Sequence, residues 1–540
     1  MKKLICIIVI SCLLLPVMAQ NFMYSKTQSP RKPRKTHKHY TKMPEPPFEI
    51  TKQQMYEDFD QFLHIVETYN AQQEIRKELT HYDAVAALKQ RREQIEQVNG
   101  YWEFINFMER SLSYTFDVQA DRQEMYYNKT DSRYVPGMQR YEFVDIHATS
   151  PAYYRYNRYN LHNSWAQIPS IYLDGEYYIN AKVQLAYKGD TIRFQNVKVL
   201  EYDNKPMELY IENFIDKLPP SQIRWDFNKQ RYYITWLHLD FDKQLKVQDT
   251  AGVVYDIAPK RYNVRAESLV PNGLDGRSHN LWAQSSKWGS QHVTYLPEQK
   301  VLYIRMGVST WQEDYNLIKA IKKEGMGKQI EKVVIDMREN GKRGDLWSDV
   351  LSAIIKEPIS FKSKMAMNSN DEVKAFLNAE YPPEVTKEFV EQEISLLGNK
   401  KMLVRESSST IEPDCNSLNF DGPIYILQNR AFSDSDNALS SLARQNSQII
   451  SMGMPSGQMI CTDFKPWCFR LNHSKFVLKL GTTIDLSTAE KPEDVLQCFP
   501  EIEVTPTLKE WNEYQQYRRL EELEKYLLKH DYLFKRVLEQ

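Results

Sequence analysis

The sequence predicts a multidomain α/β protein with a helical N-terminal region, a small β-rich domain and an α/β core. Three patterns predict this fold class. Apolar residues recur at helical spacing before residue 125, short alternating runs follow from residue 171, and apolar strand patterns alternate with amphipathic helices from residue 301. At 540 residues, the chain has room for three or four domains.

Residues 1–19 have the pattern of a secretory signal peptide. Lys2 and Lys3 precede an apolar run, and Ala19 supplies the small residue before the cleavage site. A lipoprotein signal ending at Cys12 is the less favoured alternative, because the apolar run before it is short. No later stretch reaches the ~20 apolar residues of a membrane span. We therefore expect an exported protein, periplasmic or secreted, without a membrane span.

Residues 20–47 form a basic, Pro-containing stretch with no acidic residue before Glu45, which predicts a linker. A lone basic tail on an exported protein is weak evidence for nucleic-acid binding, so we expect no nucleic-acid partner. The following region, 48–165, is predicted to be helical with irregular parts. The apolar face of its first helix is marked by Phe59, Phe62, Leu63 and Val66. Within it and just beyond, the Tyr-rich segment 126–170 has no clear period and stays unassigned.

Residues 166–260 have the pattern of a small β-rich domain. Strand-like runs at 177–180, 189–192 and 197–200 precede a turn and a helical pattern at 207–218. This order resembles a PDZ domain, which binds an extended peptide end as an added strand. A small β domain with a closed groove is the alternative.

The four cysteines beyond the signal all lie in the C-terminal quarter. Cys461 and Cys468 flank a short loop that a disulfide would close in an oxidising compartment, and unpaired buried thiols are the alternative. A metal site lacks support, because there is no Cys-x-x-Cys pair and no accompanying His. We expect neither a metal nor a cofactor.

Residues 285–510 form the predicted α/β core, and residues 511–540 a C-terminal helix. Apolar runs at 301–307, 333–338, 424–427 and 449–452 predict buried strands with helices between them. Sites in such sheets lie at the carboxyl ends of the strands.

One of these strand ends carries a group of hydroxyl and acidic residues, from Ser433 to Asp436. The group lies between the strand ending at Leu427 and a helical pattern that begins at Ala438. A serine at that place faces the unpaired backbone N–H groups of a helix N-terminus. The alternative is that Ser433 and Asp434 are only helix caps.

The order of the core motifs resembles the C-terminal processing, or tail-specific, serine peptidase family. The resemblance is carried by the strand 334–338 with Asn340 and Gly341, by the strand before Ser433, by Ser433-x-Ser435-Asp436, and by the closing segment 500–507. It covers about 171–507, with the PDZ-like region placed before the core. The turn beginning at Ser433 also resembles the nucleophile turn of the tricorn core protease.

The resemblance implies a nucleophile and two oxyanion donors. Ser433 matches the nucleophile position, and the backbone N–H groups of Gly341 and Asp434 match the donors. The bulky Lys342 and Arg343 beside Gly341 depart from the Gly-rich turn of the family.

The general base departs from the family more strongly. Gln458 stands where the processing peptidases have a Lys, and Gln119 stands where tricorn-like members have a His. Because Gln cannot accept the proton, both positions are degenerate. The remaining candidate is His147, which follows Asp145 in a similar pattern.

Two functions therefore remain open. The first is an exported serine peptidase that acts on extended or unfolded polypeptide ends by acyl transfer from Ser433. The second is a catalytically inactive relative that binds peptides through its PDZ-like and core grooves. The predicted fold and Ser433 favour the first, whereas Gln119, Gln458 and the Lys342-Arg343 pair favour the second. The sequence does not specify the oligomeric state.

Overall fold

The fold is described from a computed structural model. It describes residues 45–46, 49–117, 119–122, 167–179, 181–187, 190–218, 220, 223–234, 236–240, 243–257, 263–268, 291–307, 311–339, 346–429, 436–456, 467–517 and 521–540. The predicted signal peptide, nearly all of the basic stretch and most of the Tyr-rich segment lie outside these ranges.

Four helices begin the described chain: α1 (Lys52–Tyr69), α2 (Gln73–Thr80), α3 (Ala84–Arg92) and α4 (Gly100–Ser111). Single 3-10 turns follow α3 at Glu93–Gln97 and α4 at Leu112–Thr115. Helix α1 begins at a capping box, in which Thr51 and Gln54 each accept a backbone N–H of the other. The predicted apolar face of α1 is buried in a cluster that includes Trp467 and Leu478 of the core. The predicted helical N-terminal region is confirmed.

The next region is rich in antiparallel strands. After β1 (Asp121–Arg122), they are β2 (Gln167–Leu173), β3 (Glu176–Ile179), β4 (Ala181–Tyr187), β5 (Asp190–Gln195), β6 (Lys198–Tyr202), β7 (Lys205–Pro206), β8 (Ile223–Asp226), β9 (Arg231–Ile234), β10 (Trp236–Asp240), β11 (Leu245–Gln248), β12 (Val254–Ile257) and β13 (Asn263–Ser268). One sheet has the order β10-β2-β3-β6-β11-β12, with β7 paired to β6, and a second has the order β13-β4-β5. The helix predicted at 207–218 is α5 (Tyr210–Phe214) with a 3-10 turn on each side. A PDZ domain here stays a prediction.

The core adds two further groups of elements. Its strands are β14 (His292–Leu296), β15 (Val301–Gly307), β16 (Lys332–Glu339), β17 (Ile359–Asn368), β18 (Val390–Ile394), β19 (Lys400–Ile411), β20 (Ile424–Gln428), β21 (Ile449–Gly453), β22 (Trp467–Arg470), β23 (Val477–Leu480), β24 (Ile484–Asp485) and β25 (Ile502–Glu503). Its helices are α6 (Trp311–Gly325), α7 (Leu346–Ser352), α8 (Asp371–Glu380), α9 (Pro383–Thr386), α10 (Asp436–Ala443), α11 (Leu508–Tyr517), α12 (Leu523–Lys529) and α13 (Tyr532–Glu539).

The central sheet has the order β14-β15-β16-β20-β21-β25 and is parallel from β15 onward. Every residue of β15 is buried. Leu302 and Ile304 pack in one cluster with α6, α7 and α10, whereas Val301 and Tyr303 pack in another with α11 to α13. Because both faces are covered, these strands are continuous apolar runs in the sequence. The predicted α/β core is confirmed.

The segment predicted as one C-terminal helix contains three. Helix α12 ends before His530. Asp531 is the N-cap of α13, and its side chain accepts hydrogen bonds from the backbone N–H groups of Leu533 and Phe534. An aspartate in this position starts a new helix rather than continuing the old one.

The remaining strands form three small sheets, β18-β19-β17-β24, β1-β23-β22 and the pair β8-β9. Cys468 lies buried in β22, and burial raises its pKa to about 11. The predicted disulfide stays a prediction, because its other cysteine, Cys461, lies outside the described ranges. None of the described helices is both long enough and apolar enough to cross a membrane.

Candidate active site at the carboxyl edge of the central sheet

Two adjacent parallel strands, β16 and β20, end at the same edge of the central sheet. They pair in register, with Asp336 opposite Leu427. Strand β16 leads through residues 340–345 to α7, and β20 leads through residues 429–435 to α10. The first connection holds the predicted oxyanion residue Gly341, and the second holds the predicted nucleophile Ser433. Both connections therefore leave from neighbouring points of one edge.

Most predicted site residues lie outside the described ranges. These residues are Ser433, Asp434, Gly341, His147 and Gln458. Gln119 is the predicted site residue whose surroundings the structure gives.

A side chain at the start of the second connection joins the two strand ends. Asn429 Nδ2 donates a hydrogen bond of 2.8 Å to the backbone carbonyl of Arg338, the penultimate residue of β16. Asn429 is not among the site residues predicted from the sequence. Its position directly after a buried strand is the signal that could have identified it.

The last residue of β20, Gln428, holds three segments around the same edge. Its Oε1 accepts a 2.6 Å hydrogen bond from Ser440 of α10, and its Nε2 donates to the backbone carbonyls of Met454 and Cys498 at 3.1 and 3.2 Å. Both Gln428 and Ser440 are buried. A buried amide with all these bonds fixes α10 against the strand end. Burial raises the pKa of Cys498 to about 12, so its thiol stays protonated and is a poor nucleophile.

The acidic residue of the Asp-x-Arg strand is engaged in an ion pair. Arg338 donates to both oxygens of Asp336, at 2.8 and 2.7 Å, and Tyr303 donates to one of them at 2.6 Å. Burial acts to raise the pKa of Asp336, but the charge and hydrogen bonds of Arg338 outweigh it and hold this pKa well below its usual range. Asp336 is therefore a structural anion and not a general base near neutral pH.

Gln119 lies buried, 4% exposed, in the turn that follows the 3-10 turn Leu112–Thr115. Its backbone N–H donates to Asp117 Oδ1 at 2.8 Å. Neither Oε1 nor Nε2 of its side chain has a hydrogen-bond partner among the residues that the structure describes. A buried polar atom costs about 1–3 kcal/mol where it has no partner.

Asp117 organises the turn around Gln119. Its Oδ2 accepts hydrogen bonds from the backbone N–H of Gly481 at 2.7 Å and from Asn70 Nδ2 at 3.1 Å. Burial raises the pKa of Asp117, and the bonds from the backbone N–H groups of Gln119 and Gly481 oppose that shift. A Cβ on Gly481 would lie 2.9 Å from both Gln119 Oε1 and Asp117 Oδ1, so a larger residue at that position would displace these two side chains. The close contact places Gln119 against the segment that joins β23 to β24.

The described side chains at this edge offer hydroxyl, amide and carboxylate groups. In the ranges that the structure describes, no group of three or more His, Cys, Asp or Glu side chains could hold a metal ion. The arrangement can support acyl transfer only if a proton acceptor reaches Ser433, because Asp336 is ion-paired and Gln119 is not basic.

No protein-family profile and no curated protein matches this chain. Its structure is similar to mature CPAF, at 11% identity over 90% of this chain and 98% of that one, with a TM-score of 0.49. It is also similar to the photosystem II D1 C-terminal processing protease, at 10% identity over 85% of this chain and 95% of that one (TM-score 0.34). The tricorn protease matches at 9% identity over 90% of this chain and 37% of its own length (TM-score 0.27). The last two are a C-terminal processing protease and a tricorn protease, which are the two kinds of peptidase that the sequence motifs resemble. This similarity concerns the fold alone.

Proposed function

We propose that this protein is a serine-type peptidase of the tail-specific kind, which cleaves extended or unfolded polypeptide ends by acyl transfer from Ser433. The observation that carries the proposal is the unit formed by β20, residues 429–435 and α10 at the carboxyl edge of a parallel sheet. In this unit the segment holding Ser433 leads directly into a helix N-terminus, where backbone N–H groups lack intrahelical acceptors.

The proposed reaction assigns a role to each predicted residue. The Ser433 hydroxyl attacks the carbonyl carbon of the scissile bond while the imidazole of His147 takes its proton. The backbone N–H groups of Gly341 and Asp434 donate to the oxyanion, and each such donor is typically worth about 3–4 kcal/mol. The amine leaves with the proton from His147, and water then hydrolyses the acyl-enzyme. The hydrogen bond from Asn429 to the carbonyl of Arg338 supports the pairing of the Gly341 and Ser433 segments.

Capture of the chain end is assigned to the PDZ-like region at 166–260. An antiparallel sheet such as β10-β2-β3-β6-β11-β12 can accept an extended peptide as an added strand. We expect a free C-terminal carboxylate to be recognised, since backbone N–H groups bind it in PDZ domains. A peptide whose C-terminus is amidated is then the matched control.

The second candidate function is peptide binding without turnover, and Gln119 is the observation that favours it. A buried Gln stands where tricorn-like peptidases have a His, and a primary amide cannot act as a general base. In this case the PDZ-like and core grooves still bind peptides, but no peptide bond is cleaved.

Cleavage and binding assays on the mature chain separate the two functions. We expect the wild type to cleave an unfolded polypeptide with a free C-terminus and Ser433→Ala to abolish cleavage. The neighbouring Ser435→Ala, two residues away, should retain it. If the wild type and Ser433→Ala bind the free-ended peptide equally well and neither cleaves it, the proposal is contradicted and the binding function stands.

We also propose that the protein is exported, because Lys2, Lys3 and the apolar run that follows have the composition of a signal peptide. The N-terminus of the exported protein tests this. A mature chain that begins at Gln20 is expected. A lipid-modified chain that begins at Cys12 would support the alternative, and an intact Met1 in the cytoplasm would contradict export.

A further inference from the structure

The three C-terminal helices, α11 to α13, form a unit that covers one face of the central sheet. Trp511, Leu527 and Phe534 lie in one buried cluster with Tyr303, Val334 and Tyr425 of β15, β16 and β20. Lys332 Nζ of β16 also donates to the backbone carbonyl of Val537 at 3.1 Å. This C-terminal unit (508–539) is therefore packed directly on the strands that lead to the proposed site.

Asp531, at the start of α13, does more than cap its helix. It is fully buried, and its Oδ1 accepts the backbone N–H groups of Leu533 and Phe534, each at 3.1 Å. The same carboxylate also accepts two hydrogen bonds from the guanidinium of Arg338, at 3.0 and 2.5 Å. A cap needs only the first pair of bonds. The second pair joins the C-terminal unit to β16 through a bidentate ion pair.

Arg338 is shared between two carboxylates. One is Asp336 of its own strand, and the other is Asp531, 193 residues later in the sequence. The guanidinium also lies over the ring of Tyr514 in α11, 4.7 Å from the centroid. Its side chain is 2% exposed, so its position is set by these partners rather than by water. Loss of Asp531 would leave Arg338 with a single anionic partner in a buried place.

The main-chain carbonyl of Arg338 has a different partner from the guanidinium. Its carbonyl accepts the hydrogen bond from Asn429, and two residues after it begins the connection that holds Gly341. Arg338 therefore links the C-terminal unit to the starts of both connections at the carboxyl edge.

We propose that Asp531 is a positioning residue for the Ser433 site. By holding the Arg338 guanidinium, it fixes the end of β16 and, through Asn429, the segment that leads to Ser433. This inference rests on the proposed function for its catalytic readout. It goes beyond that function by making the C-terminal unit part of the machinery rather than a cover for the sheet.

The test compares Asp531→Asn with Val537→Ala, a control in the same helix. Val537 is also fully buried, but its side chain packs in the apolar cluster and leaves the Arg338 ion pair intact. Two quantities are measured for each variant, at temperatures chosen so that the variants have equal unfolding free energies. One is the rate of Ser433 modification by a fluorophosphonate, and the other is backbone hydrogen exchange in 338–345 and 429–436.

We expect Asp531→Asn to lower the maximal modification rate at least tenfold, with the half-saturating probe concentration unchanged. It should also raise exchange at least tenfold in both segments. Val537→Ala should change each quantity less than twofold. Equal effects of the two variants would overturn the proposal, because Asp531 would then act only through the stability of the C-terminal unit.

The exchange measurement also separates this proposal from the proposed function. If the wild type is never modified at Ser433, the peptidase assignment fails, while exchange in 338–345 still tests the role of Asp531. If Asp531→Asn does not fold, hydrogen exchange of the wild type is measured at increasing urea concentrations instead. We expect amides of α13 and of 338–345 to share one opening transition, and independent transitions would overturn the proposal.

Discussion

Replacement of Gly453 by alanine should disrupt the central sheet beside the proposed site. Gly453 ends β21 and pairs in parallel with Gln428, the last residue of β20. Its φ of +138° is a conformation that side chains other than glycine rarely adopt. A Cβ at this position would lie 2.0 Å from the backbone oxygen of Gln428. That oxygen belongs to the neighbouring strand, so the strands themselves must separate to accept the methyl group.

The expected cost follows from two terms. A residue with a Cβ in this backbone region costs about 1–3 kcal/mol. Insertion of a methyl group against a rigid backbone costs about another 1–3 kcal/mol. The sum, about 2–6 kcal/mol, is a large share of the roughly 5–15 kcal/mol that stabilises a typical protein. The same change should weaken the fluorophosphonate reaction, because Gln428 lies five residues before Ser433 and fixes α10 through Ser440.

Gly327→Ala is the matched control for this substitution. Gly327 also has a positive φ, +70°, but no heavy atom lies within 4 Å of its ideal Cβ, so only the backbone cost of about 1–2 kcal/mol applies. The opening free energies of the β20 and β21 amides are measured by native-state hydrogen exchange. If Gly453→Ala lowers them no more than Gly327→Ala, the steric reasoning is wrong.

Three further predictions concern the proposed base and the turn around Gln119. His147→Ala should lower the turnover of an unfolded polypeptide by about 10²–10⁴-fold with little change in KM, and unchanged turnover would exclude it as the base. Gln119→Met should raise the unfolding free energy by about 1 kcal/mol, because it removes two buried polar atoms without described partners. If the variant instead loses about 1 kcal/mol of unfolding free energy, the amide of Gln119 is hydrogen-bonded. Asp117 has a raised pKa, so it binds its proton more tightly when folded. Its contribution to the unfolding free energy should be complete below about pH 4 and should decline as the pH rises through the folded pKa. Asp117→Asn should remove this decline from a plot of unfolding free energy against pH.

The central strands could be predicted from the sequence because burial on both faces leaves an unmistakable pattern. The strand predicted at 333–338 is observed at Lys332–Glu339, and the strand predicted at 301–307 has those bounds. Local composition carries this information, since each strand needs apolar residues on both faces wherever it lies in the sheet.

Contacts between distant segments could not be predicted in this way. Nothing near Arg338 in the sequence indicates that Asp531 is its partner, and nothing near Asp117 indicates that Gly481 donates to it from 364 residues away. The sequence predicts one C-terminal helix at 511–540, whereas the structure has a new helix after Asp531. An aspartate before a helical pattern is a recognisable start signal, so this division could have been predicted.

Peptide mapping of the mature protein after reaction with a fluorophosphonate tests acyl transfer from Ser433 most directly. We expect one adduct, on Ser433, which is absent from Ser433→Ala and retained in Ser435→Ala. An adduct on another residue, or no adduct under conditions in which the protein is folded, would contradict acyl transfer from Ser433.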